Sequence, residues 1–138
     1  MATANNIITP QSVKAGSAIL TAAKTTYNDT TNAVLIATAD ATNGGVVYGI
    51  TAVARGVLAT TTKVMLFRVD ASNNVYYIKA VLVSAYTTDA ATTVPTVADF
   101  GYTETAPLRL NAGDKLYVGA YAAAANGISV DCQYENIG

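Results

Sequence analysis

The clearest pattern in the chain is near its end. Ile128, Val130, Cys132 and Tyr134 are apolar, while Ser129, Asp131, Gln133 and Glu135 between them are polar. A period of two puts the first set on one face of a β-strand, toward a core, and the second toward solvent. Residues 63–83 hold a second strong signal. KVMLFRVD and VYYIKAVLV are rich in β-branched and aromatic residues, and Ala71-Ser72-Asn73-Asn74 joins them. Asn tolerates positive φ, so the spacing predicts a hairpin with a four-residue loop. Val64, Leu66 and Arg68 then share one face of the first strand, and Met65, Phe67 and Val69 the other. Neither strand has a cleanly polar face. Such a strand is either central in a sandwich with its outer face covered, or lies at a subunit contact.

The stretch PLRLNAGDKLYVGAY, residues 107–121, reads as two short strands around the turn Asn111-Ala112-Gly113-Asp114. Further strands are expected over residues 13–23, 33–38, 46–55 and 100–106. Loops are expected at Asn28–Asn32, at Asp40–Gly45 and over residues 86–99, a long Thr/Ala/Asp segment interrupted by Pro95. Ala122–Gly127 ends in Asn126-Gly127, a turn dipeptide, and closes a hairpin better than it starts a helix. Residues 1–12, MATANNIITPQS, read as an extended N-terminal arm, leaving 13–138 as one β-sandwich domain. Residues 15–23 faintly resemble the apolar region of a signal peptide, but the segment before them is long, polar and barely basic, so a strand is the better reading.

About eight strands, each followed by a turn signal and with no amphipathic helix among them, predict an all-β fold. The expected architecture is an antiparallel β-sandwich. The long crossing connection over 86–99 favours a Greek key or jelly roll over a meander.

Composition sharpens this picture. The chain has 138 residues and a charged fraction of 12%, against about 25% in an ordinary soluble domain. Its hydrophobic fraction is 51%, so Thr, Ala, Asn and Ser take the place of charge. Interfaces are depleted in charge, which implies that copies or partners cover part of the surface. Formal net charge is −1 and the pI is about 5.1. The Lys and Arg residues are scattered, whereas nucleic-acid binding needs clustered cations, so no nucleic-acid partner is expected. No apolar run reaches the about 18 residues of a membrane-spanning helix. Cys132 is the only cysteine, which rules out an intrachain disulfide and fits a reducing compartment.

Candidate chemistry is sparse. Histidine is absent, which removes Ser-His and Cys-His mechanisms and imidazole-ligated zinc. Cys132 lies on the apolar face of its strand and reads as a buried hydrophobe. Asp40-Ala41-Thr42-Asn43-Gly44 is a fragment of a calcium loop without the closing Glu. Gly44-Gly45 lacks the Lys-Ser/Thr of a phosphate loop. Asn28-Asp29-Thr30 matches a glycosylation sequon, read as chance. Asp114 sits in a turn where its carboxylate can accept backbone N–H groups, so it reads as a corner of the scaffold. Tyr76, Tyr77, Tyr117 and Tyr121 fall on neighbouring strands and suit an interface or core better than a sugar site. The sequence nominates no catalytic, cofactor-binding or metal-ligating residue, and the chain is expected not to be an enzyme.

The layout resembles the head decoration, or cement, proteins of tailed bacteriophages. The matching features are the Thr/Ala-rich N-terminus running to Val34-Leu35-Ile36, the Asp40–Gly45 turn into a strand, and the Lys63–Val83 hairpin. PLRLNAGDKLYV, leading to the final alternating strand, completes them. The L-x-L-x-A-G-D-x-L-x-V pattern is also similar to strand–turn–strand segments of trimeric jelly rolls, including receptor-binding tips and TNF-like domains. The resemblance implies a virion protein, assembled in the host cytoplasm, that forms a homo-oligomer, a trimer, on the capsid surface and bridges major capsid protein subunits. It transfers no catalytic residues and no cofactor. The alternative is a glycan- or receptor-binding module of a phage tail fibre or baseplate.

Overall fold

The computed structural model describes residues 10–137, with side chains from Val13 onward. Nine strands form: β1 (Pro10–Leu20), β2 (Val34–Thr38), β3 (Gly45–Ala54), β4 (Thr62–Val69), β5 (Val75–Val83), β6 (Ala98–Asp99), β7 (Leu108–Leu110), β8 (Lys115–Ala120) and β9 (Ile128–Ile137). No helix forms among the described residues. One sheet has the order β1-β9-β3-β6, with β7 also on β3; the other has the order β2-β8-β4-β5. All pairings within the sheets are antiparallel. Counted as one broken strand, β6 and β7 complete the eight-stranded order of a jelly roll.

The expected arm over residues 1–12 falls mostly outside the described residues. Its last three, Pro10–Ser12, belong to β1, because β9 runs on to Ile137 and gives Pro10 and Ser12 partners at Ile137 and Asn136. Proline is tolerated there as the first residue of an edge strand.

Alternate residues of both sheets meet in one core. Val47, Ile50 and Ala52 of β3 and Val130 and Cys132 of β9 face Val64 and Leu66 of β4 and Leu116 and Val118 of β8. The alternation of β9 is realised as read: Ile128, Val130, Cys132 and Tyr134 are all buried. Gly16 lets β1 approach the other sheet, because a Cβ there would strike the Ile36 carbonyl.

One expected strand does not form. Residues 100–106 are loop. Phe100 enters the core and its N–H bonds the Ile50 carbonyl at 3.0 Å. Gly101 then turns with φ +92°, its N–H held by the Asp99 carboxylate at 2.8 Å. A left-handed glycine behind an Asx turn carries the chain off the sheet directly after Phe100.

The connections divide between two ends. At one end lie the short turns 39–44, 70–74 and 111–114; at the other lie the longer loops 21–33, 55–61, 84–97 and 121–127.

Candidate interaction surface

Met65 and Phe67 of β4 are fully buried, yet they lie outside the core cluster. They point to the outer side of the β2-β8-β4-β5 sheet, where loop 21–33 covers them. The loop is pinned by Lys24. Its N–H bonds the Ala120 carbonyl at 2.7 Å. Its ammonium donates to Asp29 at 2.9 Å, to the Thr31 carbonyl at 3.1 Å and to Thr26 at 3.3 Å, and it lies 4.9 Å from the Phe67 ring centroid. The Lys24 and Thr26 bonds hold the Asp29 carboxyl below its usual range. The loop lies close because Gly119 has no side chain: a Cβ there would stand 2.6 Å from Lys24 Cδ. Of the two explanations for a doubly apolar β4, covering of its outer face is the one seen, and the cover is the chain's own.

Beyond the loop, the same face stays open. Leu35, Tyr117, Phe67 and Tyr77 are in register across all four strands, so an apolar and aromatic row crosses the sheet. Tyr77 meets Phe67 at 5.5 Å and Tyr27 of the loop at 5.1 Å between ring centroids. Next to this row, Lys63 pairs with Leu82. The Lys63 ammonium donates to the Tyr27 phenol at 2.6 Å and lies 4.9 Å and 4.7 Å from the Tyr27 and Tyr121 ring centroids. That hydrogen bond, with the neighbouring phenols, raises the pKa of Lys63 despite some desolvation. Leu35, Tyr27, Tyr77 and Tyr121 are each about two-fifths exposed, and Leu82 is 68% exposed. Among the described residues Lys63 has no carboxylate partner.

The four tyrosines picked from the sequence therefore divide. Tyr77, Tyr117 and Tyr121 belong to this face. Tyr76 sits at the turn end, under the Arg68 guanidinium at 4.8 Å and bonded to Asp70 at 3.1 Å. Lys24, Tyr27 and Lys63 escape a reading by strand alternation, since two of them come from a loop. A lysine among polar loop residues, well before the next strand, carries no sign that it will be buried.

Asp114 is a corner. Its carboxylate is buried and accepts from the Asn111 N–H at 2.8 Å and from Arg68 at 3.1 Å. Its carbonyl takes the Ala39 N–H, and the Gly113 N–H reaches the Asp40 carbonyl. The Asp40 carboxylate accepts the N–H groups of Thr42 and Asn43 at 3.0 and 2.8 Å, an Asx turn. Among the described residues no three His, Cys, Asp or Glu side chains gather around one point. At the opposite end a groove of about 340 Å³ lies between Val57–Thr60 and Ala123–Asn126, and it contains no titratable side chain.

No protein-family model matches the chain, and no curated protein matches it. One solved structure is similar, a chain of the cyanophage Pam1 capsid asymmetric unit. The likeness covers 99% of this chain and 92% of that chain, with 19% identical residues and a TM-score of 0.42.

Proposed function

We propose that this chain is a non-enzymatic structural protein of a phage particle, which binds the outer surface of the capsid as a homo-oligomer and stabilises it by bridging coat subunits. The observation that carries this reading is the outer face of the β2-β8-β4-β5 sheet. Tyr27, Tyr77, Tyr121, Leu35 and Leu82 leave apolar and aromatic surface open on a fold with a full core of its own. Tyrosine-rich patches of this kind are interface material, because each ring brings area with a polar tip. The sequence resemblance to head decoration proteins supplies the partner class. The carboxylates support a scaffold role too: Asp40, Asp70, Asp99 and Asp114 all hold backbone N–H groups of turns.

Mechanically, each copy adds buried area across the junctions where coat subunits meet. The test mixes purified protein with undecorated heads. Co-sedimentation, with a gain in heat and chelator resistance, is the expected result. A protein that stays in the supernatant and leaves the heads unchanged defeats the reading. The exposed tyrosines also suit the stacking of sugars, so binding on a glycan array that is lost in Tyr27→Ala or Tyr121→Ala would move the chain to the tail-tip class.

A further inference from the structure

The two outer faces of the sandwich differ in charge. The strands of the β2-β8-β4-β5 sheet contain Lys63, Arg68, Lys79 and Lys115 and no carboxylate at all. On the outer side, Lys63 stands inside its apolar and aromatic frame. The opposite sheet presents Asp131 and Glu135 of β9 outward. Register places Glu135 between Val13 of β1 and Val46 of β3, and Asp131 between Ser17 and Thr51. Val13 is 70% exposed, and Ile19 further along β1 is half exposed. Glu135 accepts a hydrogen bond from Tyr48 at 3.0 Å, and Asp131 accepts from Ser17 at 3.2 Å and Gln133 at 2.9 Å. No cation among the described residues pairs with either. One face thus carries a framed cation bonded to no carboxylate, and the other a framed carboxylate bonded to no cation, with Arg109 of β7 in register on the far side of Val46.

We infer that these faces are complementary, and that the outer face of the β2-β8-β4-β5 sheet docks on the outer β1-β9-β3 face of a second copy, with Lys63 opposite Glu135. The physical reason is desolvation. Covering the apolar surface around Lys63 with an uncharged partner would strand its ammonium, and covering Val13 would strand Glu135 in the same way. Bringing the two together buries both apolar frames and leaves each charge paired. Two different faces meet in this contact, so it is heterologous: it forms a ring where the rotation between copies closes and an open filament where it does not. A three-membered ring would be the trimer that the resemblance to head decoration proteins implies. The inference deepens the oligomeric part of the proposed function and does not depend on shell binding.

The experiment measures self-association by analytical ultracentrifugation over a concentration series, with thermal melts to confirm folding. Wild type is expected to form a closed oligomer. Lys63→Glu and Glu135→Lys should each weaken it at least about 30-fold, the loss expected when one member of a covered charge pair is reversed. The double variant carrying both changes should recover most of the association, because the exchanged charges again meet with opposite sign across the contact. Leu35→Asp, on the same open face but neither opposite Lys63 nor in the core, should also weaken it and covers the case in which Glu135→Lys does not fold. A monomeric wild type overturns the inference. So does association unchanged in Lys63→Glu, or two single losses with no recovery in the double variant. Binding to undecorated heads is measured on the same samples. A monomer that still binds heads and loses them on Lys63→Glu assigns this face to the coat protein, which overturns the self-contact and leaves the capsid role standing. A ring that binds no head does the reverse.

Discussion

The Lys24 ammonium rests 4.9 Å from the centroid of the Phe67 ring, on the outside of the β-sandwich. Both side chains are shut off from solvent, so a loop lysine and a strand phenylalanine form a small second core outside the main one. Lys24→Ala removes the methylenes that roof Phe67 together with the hydrogen bonds of the ammonium. Unfolding in urea should show a loss of about 2–4 kcal/mol. Lys24→Met keeps the roof and should lose about half as much, since Asp29 remains partly exposed and can hydrate.

Gly119 sits directly beneath that lysine. In Gly119→Ala the new methyl meets Lys24 Cδ at 2.6 Å and Lys24 Cβ at 3.1 Å, so the loop must lift. A penalty of about 1–3 kcal/mol is expected. Amide exchange should quicken over residues 21–33 and stay unchanged in β3 and β9, whereas uniform quickening would mean that the sheet itself has been damaged.

Asp114 ties its own turn 111–114 to the 39–44 turn and to the Arg68 guanidinium. Asp114→Ala leaves Arg68 without its partner and the Asn111 N–H without its acceptor. Breaking a buried pair costs about 3–5 kcal/mol. Because the Arg68 side chain is 26% exposed, about 2–3 kcal/mol is the better expectation for the loss of stability in urea. If Asp114 served chemistry instead of shape, its replacement would leave stability unchanged.

The pH limbs have opposite origins. Burial, with some help from the Asp131 charge, pushes the Cys132 thiol up to about 12 from 9.0. Its folded pKa is raised, so the stability it contributes is complete below about pH 9 and drains away as pH climbs toward 12, where the unfolded chain releases the proton first. Tyr48, Tyr76 and Tyr102 are raised as well and act in the same direction. Cys132→Ala should therefore flatten the alkaline limb of a stability–pH curve without abolishing it. A thiol reagent at about pH 8, below the folded value, should leave the native protein unlabelled and label the denatured chain.

On the acid side Asp70 is the group to follow. Its carboxylate accepts the N–H groups of Ser72 and Asn74, the Asn74 side chain and the Tyr76 hydroxyl. These bonds, the Asn74 backbone bond foremost, lower its pKa below 3.8. The stability it gives is complete above about pH 4 and fades as pH falls through the lower folded value. Asp70→Asn should remove part of the acid dependence and loosen the 70–74 turn, seen as faster amide exchange at Asn74.

Where the pattern had a period of two and a turn residue to bound it, sequence and structure agree. The Lys63–Val83 hairpin, the two short strands on either side of Asn111–Asp114 and the inward set of β9 all form as read, although those two strands enter different sheets. Disagreement comes where the long-range surroundings decide. Phe100 looks like the start of a strand, but the core takes the ring and Gly101 turns the backbone away. The two-faced apolarity of β4 pointed to a cover without naming it. Lys24 is the answer, and no local pattern could nominate it, because its burial depends on Gly119, 95 residues further along the chain. The carboxylates at 40 and 114 were legible as turn residues, since their bonds to backbone N–H groups are made within a few residues.

The turns 39–44, 70–74 and 111–114 crowd together, while loop 84–97 stands at the far end and is braced from inside by Tyr86 and Thr93. This polarity tells an engineer where foreign sequence belongs. A peptide grafted near Ala90-Ala91 rides on a self-supporting arch and leaves the sandwich untouched. The same peptide spliced into Asn111–Asp114 would unpick the fastening of the opposite pole.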